Sequence, residues 1–331
     1  MKRRTRTSKP AGGGLPTVEA RRHGELVPVT ADDVLVSASI GPAGEAVALW
    51  VTNGRDALLA RSVNPAGVPF PAAVLRGPVA AKVTFHTPNR PTGMVSIPAL
   101  QVAHPHVQPL PEGRVVVVGA RCRWRPGGPD RNAAVYDPAG ELLAEGTLGD
   151  GIEHAFTTPD GDVWVGYFDE GVGGNFGWGG PGPEPIGRPG IVRFTSDLQV
   201  AWRYGGEYGF VMDCYALNVV GGTAWACYHP DFPIVRMGID RVAGWRNQVR
   251  GAQALVVAGP TVALVGGYGS DHDRVVVGTL AGEHFQPQVH ARLRLPGGVG
   301  LQGVRLLGRG SELHVLAGTA WSKIALEDLI G

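Results

Sequence analysis

Five short stretches gather side chains able to move protons or hold metal ions: His104-Pro105-His106, Glu153-His154, Asp169-Glu170, Asp213-Cys214-Tyr215 and His229-Pro230-Asp231. An imidazole beside a carboxylate makes a general base with an orienting partner, and His154, Asp213 and His229 are the catalytic candidates on that ground. Imidazoles and carboxylates also suit a divalent metal, for which His106, Glu153, His154 and Asp213 are the candidate ligands. Glu153 and His154 are neighbours on a strand and so point to opposite faces. Asp169 or Asp213 is therefore the better partner for His154. Cys214 beside His229 is a candidate nucleophile, set against the commoner buried structural cysteine. The plainer account has these polar groups hydrogen-bonded to loop backbone around a wet channel.

The segment Gly171–Gly190, GVGGNFGWGGPGPEPIGRPG, is the strongest local anomaly. A connection near twenty residues inside a compact domain is usually functional or disordered. Phe176 and Trp178 can cover a ligand, with glycines as hinges. The alternatives are an insertion without function, and an extended Pro181–Pro189 stretch that recognises a partner. The candidate ligand contacts are His104, His106, Arg121, Glu153, Tyr167, Asp169, Glu170, Phe176, Trp178, Tyr215, Tyr228 and Asp231. For Tyr167 and Tyr228, as for Trp164 and Trp225, packing between sheets competes with ligand stacking.

The sequence has no phosphate-cradling G-x-x-x-x-G-K-[ST], no H-E-x-x-H, no G-x-S-x-G and no strand–G-x-G-x-x-G–helix unit. Net charge is +1, so the chain is not an electrostatic trap for nucleic acid. Three cysteines, Cys122, Cys214 and Cys227, without a C-x-x-C pair, give no zinc or disulfide framework; a reduced, cytoplasmic protein is expected. The basic N-terminus lacks the apolar run of a signal peptide, and no stretch has the length of a membrane span. Residues 1–16 are expected to be a disordered basic tail, and 17–331 a single domain, monomeric, with no resident cofactor unless the divalent metal above.

What positions these groups is a recurring hairpin. VLVSASIGPAGEAVALWV, VQPLPEGRVVVVGAR, EHAFTTPDGDVWVGYFD, CYALNVVGGTAWACYH, QALVVAGPTVALVGGY and VRLLGRGSELHVLAGTAW each read as apolar strand, Gly-containing turn, apolar strand. Their turns recur on average about 53 residues apart, against propeller blades of about 40–50. Outer strands follow the hairpins, as at Gly190–Phe194 and Val200–Tyr204. The expected fold is all-β: a single β-propeller of six four-stranded blades. Its last blade is to be completed by an N-terminal strand around Glu25 to Thr30, which removes an exposed sheet edge. A two-domain β-sandwich is the alternative.

The motif Pro159-Asp160-Gly161-Asp162-Val163-Trp164-Val165 and the six hairpins resemble bacterial β-propellers of the streptogramin-lyase-like, lactonase-like and sensor types. The resemblance runs from about residue 25 to 331. It implies the fold and no activity, since the motif marks a blade turn. In such a fold the starts of first strands and the ends of second strands share a face, so the polar stretches above converge at a channel mouth. The expectation is a binding scaffold presenting that face and the Gly-rich segment to a protein or small molecule. The alternative is a metal-assisted hydrolase or lyase acting on a lactone or cyclic ester.

Overall fold

The computed structural model describes residues 14–63, 67–88 and 90–330; the basic Met1–Gly13 stretch of the expected tail lies outside them. The fold is a six-bladed β-propeller, each blade a four-stranded antiparallel sheet. The chain divides into two compact units, Leu26–Cys214 and the residues up to Glu25 together with those from Tyr215 onward.

The first unit holds three blades. Blade one runs Val34–Ile40, Ala46–Val51, Val79–Thr87 and Arg90–Leu100; blade two runs Pro105–Pro109, Val115–Gly119, Ala133–Tyr136 and Leu142–Gly146. Blade three runs Ile152–Thr157, Val163–Tyr167, Ile191–Phe194 and Val200–Arg203. Every residue of the three second strands is buried, as expected for strands covered on both faces. Two small hairpins are inserted, Arg61–Val63 with Pro69–Pro71 and Trp124–Arg125 with Gly128–Pro129. The first lengthens blade one between its second and third strands.

The turn glycines act as the sequence requires. Gly161 has φ 93°, a left-handed conformation open to glycine. Its N–H donates to Thr158 O at 3.0 Å while Thr158 N–H bonds back to Asp162 O at 2.9 Å.

In the second unit, blade five (Ala254–Ala258, Thr261–Val265, Arg274–Ala281, His284–Arg294) gains a fifth, parallel strand from Thr17–Glu19. Blade six (Arg305–Arg309, Glu312–Ala317, Ala320–Ala325) is completed by Arg21–Glu25, antiparallel to its third strand. The completing strand thus lies just before the expected Glu25–Thr30 window. Arg21–Glu25 carries no apolar alternation, because no residue of it is fully buried. Blade four comprises Asp213–Val220, Thr223–His229, Ile234–Met237 and Val242–Trp245; its first two residues, Asp213 and Cys214, belong to the first unit.

Apolar clusters cement neighbouring blades within each unit, and a buried amide ties together three blades in each. Gln108 donates to Ser39 Oγ at 2.6 Å and Ile40 O at 3.2 Å, and accepts from Thr157 N and Oγ1, each at 3.1 Å. In the other unit Asn218 donates to Leu255 O at 3.0 Å and Gly310 O at 2.9 Å, and accepts from Gly310 N at 2.9 Å. Buried amides persist only when so satisfied.

Candidate functional site

In the first unit, the chain leaving the second strand of blade two brings Arg121 into an almost closed environment, 3% exposed. Its guanidinium donates to Asp150 Oδ2 at 3.1 Å and forms an ion pair with Glu170. Its carbon lies 4.7 Å from the Phe176 ring centroid and 5.3 Å from that of Phe168. Asp150 also accepts the Cys122 backbone N–H at 2.7 Å. Burial pushes the Asp150 carboxyl up to about 6, against the pull of Arg121 and the Cys122 N–H. Gly149 and Gly151, at φ 96° and 68°, let the backbone turn tightly on either side of this one acid.

This node fixes the glycine-rich segment. Glu170 sits in the one-turn helix Asp169–Gly173 that opens it. Trp178, 6% exposed, donates its indole N–H to Cys122 O at 3.0 Å, and Trp124 N–H donates to Phe176 O at 3.0 Å. A side chain on Gly182 would meet the Trp124 ring at 2.6 Å. The proline-rich half is folded into turns, Arg188 N–H to Pro185 O at 3.0 Å and Gly190 N–H to Gly187 O at 2.7 Å. The expectation of an extended Pro181–Pro189 stretch is therefore corrected, and so is that of a hinged cover: buried Trp178 is an anchor. Phe176 remains half-buried at the rim, 5.6 Å from Phe70.

Next to this segment lies an acidic group. Asp213 is half-buried; burial first, then the nearby charges of Glu153 and Asp169, push its carboxyl up to about 6. Glu153 and Asp169 are exposed. Among the described residues none of the three forms a salt bridge. The register of blade three's first two strands shifts between Ile152 and His154, placing a bulge at Glu153. Strict alternation of Glu153 and His154 to opposite faces, expected from a regular strand, does not govern here. His154 is paired with Gly166, and a Cβ there would lie 2.7 Å from Cys214 Sγ and 3.4 Å from His154 Cδ2. The missing side chain lets the thiol and the imidazole lie close together over the strand. Cys214 is fully buried, the structural reading of that residue. His106 approaches the same strand end, its Nε2 3.3 Å from Ile152 O.

His104, at φ 49°, bonds Ala60 O through Nε2 at 2.9 Å, and burial holds its imidazole below the usual range. It braces the loop of blade one. Tyr167 is inaccessible and donates its hydroxyl to Leu148 O, and Tyr228 is 1% exposed. Both are core residues, which corrects their assignment as ligand contacts. In the second unit His229 precedes a cis Pro230 and packs on Phe232 and Tyr215, with ring centroids 5.6 and 6.2 Å away. Tyr215 accepts a hydrogen bond from Tyr268 at 2.8 Å, and Asp231 is exposed.

Among the described residues no three His, Cys, Asp or Glu side chains are grouped to hold a metal ion. His106, Glu153, His154 and Asp213 do not form the ligand set expected of them, and no step through a metal follows. Sequence reasoning missed Asp150 and Phe168. The Gly149-Asp150-Gly151 triplet was the one local signal, a lone acid between two glycines.

No protein-family model and no curated protein matches the sequence. Among solved structures, a catalytically inactive virginiamycin B lyase from Staphylococcus aureus, solved with quinupristin, is similar over 91% of this chain and 98% of its own, at 12% identity and TM-score 0.39. Kluyveromyces lactis Hsv2 is similar over 89% and 74%, at 9% identity and TM-score 0.45. Apo AztD from Citrobacter koseri is similar over 94% and 86%, at 11% identity and TM-score 0.41.

Proposed function

We propose that this protein is a soluble, cytoplasmic binding scaffold that takes a small polar ligand bearing a cationic group. The binding place is the rim of blade three, on Glu153, Asp169 and Asp213. The observation that supports it is the raised Asp213 carboxyl, about 6, beside two further acids. Burial is the first cause of that rise, and the nearby charges of Glu153 and Asp169 add to it; a bound ammonium or guanidinium would offset the charge repulsion on Asp213. The anchored glycine-rich segment supports a preformed site, because a rigid wall lowers the ordering cost of binding.

The test is calorimetric titration of the chain with putrescine, agmatine and choline at pH 6 and pH 8. Tighter binding at pH 8, where Asp213 is ionised, and a tenfold or greater loss in Asp213→Asn are expected. Equal affinity in the variant would remove this reading.

The same Asp213 favours a second reading, a hydrolase or lyase on a lactone or cyclic ester. A carboxyl near pH 6 exchanges protons efficiently at neutral pH. Ring opening lost in Asp213→Asn would support it over simple binding.

A further inference from the structure

A cavity of about 740 Å³ opens at the turn ends of blades four, five and six, wholly within the second unit. None of its lining residues belongs to the acidic group of blade three. Its aromatic side comes from blade four. Trp225 stands on the second strand of that blade and Trp245 on the fourth. Their rings stack, with centroids 5.8 Å apart and planes 14° from parallel. Arg236, on the strand between them, pairs in register with Trp225, and its guanidinium carbon lies 6.0 Å from the centroid of that ring. Trp225 is held in the apolar cluster shared with blade five, while Trp245 is partly exposed and Arg236 is exposed.

The other walls are fixed by backbone hydrogen bonds. Val257 N–H donates to Gly310 O at 2.9 Å, and Leu280 N–H to Pro260 O at 2.8 Å. The buried Asn218 amide ties Leu255 to Gly310 behind them. At the mouth Gly259 and Gly310 carry no side chain, and a Cβ on either would meet nothing within 4 Å. The cavity is therefore preformed and open, and little binding energy goes into ordering it.

The chemistry of the lining selects the ligand. Arg236 is the one charged residue that lines the cavity. Among the described residues its guanidinium has no carboxylate partner. A guanidinium is matched in shape and charge to a carboxylate, and indole rings favour a flat aromatic neighbour. The volume and the mostly apolar lining are those of a small-molecule site. We propose that this cavity binds a small aromatic carboxylate. Its ring packs against the indoles, Trp245 above all, and its carboxylate pairs with Arg236.

The experiment is calorimetric titration of the full chain with three probes, benzoate, phenylacetate and indole-3-acetate. Two controls each lack one feature: benzamide has no charge, and cyclohexanecarboxylate has no aromatic ring. At least one probe is expected to bind with Kd below about 1 mM, and both controls at least about tenfold more weakly. Arg236→Gln, at an exposed position, is expected to weaken that probe about tenfold with an unchanged circular-dichroism spectrum. Arg236→Lys, which keeps the charge, should fall between. Trp245→Leu keeps an apolar wall without the ring and should weaken the probe about fivefold or more. Absence of binding by all three probes, either control binding as tightly as the probes, or wild-type affinity in Arg236→Gln would overturn the proposal.

Discussion

Arg121 donates to Asp150 across 3.1 Å with each side chain 2% exposed. A charge pair this enclosed loses its hydration, and the loss is offset only when the remaining hydrogen bonds are made. Asp150 makes them, since it also holds the Cys122 N–H, and Cys122 O in turn receives the Trp178 indole. One carboxylate therefore organises blade two's loop and, through it, the glycine-rich segment.

Asp150→Ala is expected to cost about 3 kcal/mol, because it leaves the Cys122 N–H without its acceptor and the buried Arg121 with Glu170 as its one remaining carboxylate partner. Asp150→Asn, which keeps an acceptor for the Cys122 N–H, should cost clearly less. Urea unfolding followed by tryptophan fluorescence measures both. Equal midpoints for Asp150→Ala and wild type would mean that the pair is not a structural node.

The buried amide of Gln108 makes a second prediction. Gln108→Leu keeps the bulk but leaves the Ser39 hydroxyl and the Thr157 N–H without their partner. A loss of about 3 kcal/mol is expected from buried unsatisfied groups. Gln199→Leu, an exposed control, should stay within about 0.5 kcal/mol. Chemical denaturation of the three proteins side by side decides it.

The blades were legible in the sequence because their second strands are buried on both faces, and such strands read as apolar runs: Val115–Gly119 and Val163–Tyr167 announce themselves. Gly161 marked its turn through the conformation it supplies. The completing strand Arg21–Glu25 was misplaced by a few residues, since an edge strand with no fully buried residue has no apolar signal, whereas Leu26, Val27 and Val29 just beyond it do. Of those three only Leu26 is buried, at 1% exposed. The site was legible in part. Glu153, Asp169 and Asp213 were named as candidates, and the structure brings these three acids near one another, but the bulge at Glu153 and the depth of Tyr167 are tertiary facts. Nothing in the spacing separates Trp178 as an anchor from Trp178 as a cover.

Stability against pH follows from groups pulling in opposite directions. Burial lowers the imidazoles of His86 (to about 4), His23, His104 and His314. In the unfolded chain they take up protons below about 6.5, so the stability they carry is lost as pH falls from there toward 4. Asp150 and Asp213, raised to about 6, do the reverse: the folded state gains protons first, and stability rises as pH falls from 6 to about 4. Among the described residues the lowered carboxyls of Asp33, Glu312 and Asp273 pull the same way as the imidazoles once pH falls to about 4, so the net trend is a loss on acidification. Asp213→Asn removes one of the two compensating groups. It should be more stable than wild type at pH 8, by about 1 kcal/mol after discounting for solvent exposure, and should lose stability more steeply below pH 6. A thermal-denaturation series from pH 8 to pH 4 shows it, and parallel curves for the two proteins would contradict a carboxyl raised by burial and by the nearby charges of Glu153 and Asp169.

The anchoring of residues 171–190 is testable by proteolysis, because cleavage at an ordered site requires local opening. Phe176 is half-buried, and its carbonyl is held by the Trp124 N–H. Chymotrypsin should cut the wild type slowly after this residue. Trp178→Ala removes both the buried ring and its hydrogen bond to Cys122 O, and the rate of cutting after Phe176 should rise about tenfold or more, equivalent to about 1.4 kcal/mol of lost local stability. Trp178→Phe keeps an aromatic ring and loses only the hydrogen bond, so its rate should fall between the two. If the segment were a hinged lid, wild type and Trp178→Ala would be cut at similar rates, and a ligand bound at the rim of blade three would protect both. If it is the fixed wall described here, protection comes from Trp178 in the absence of any ligand.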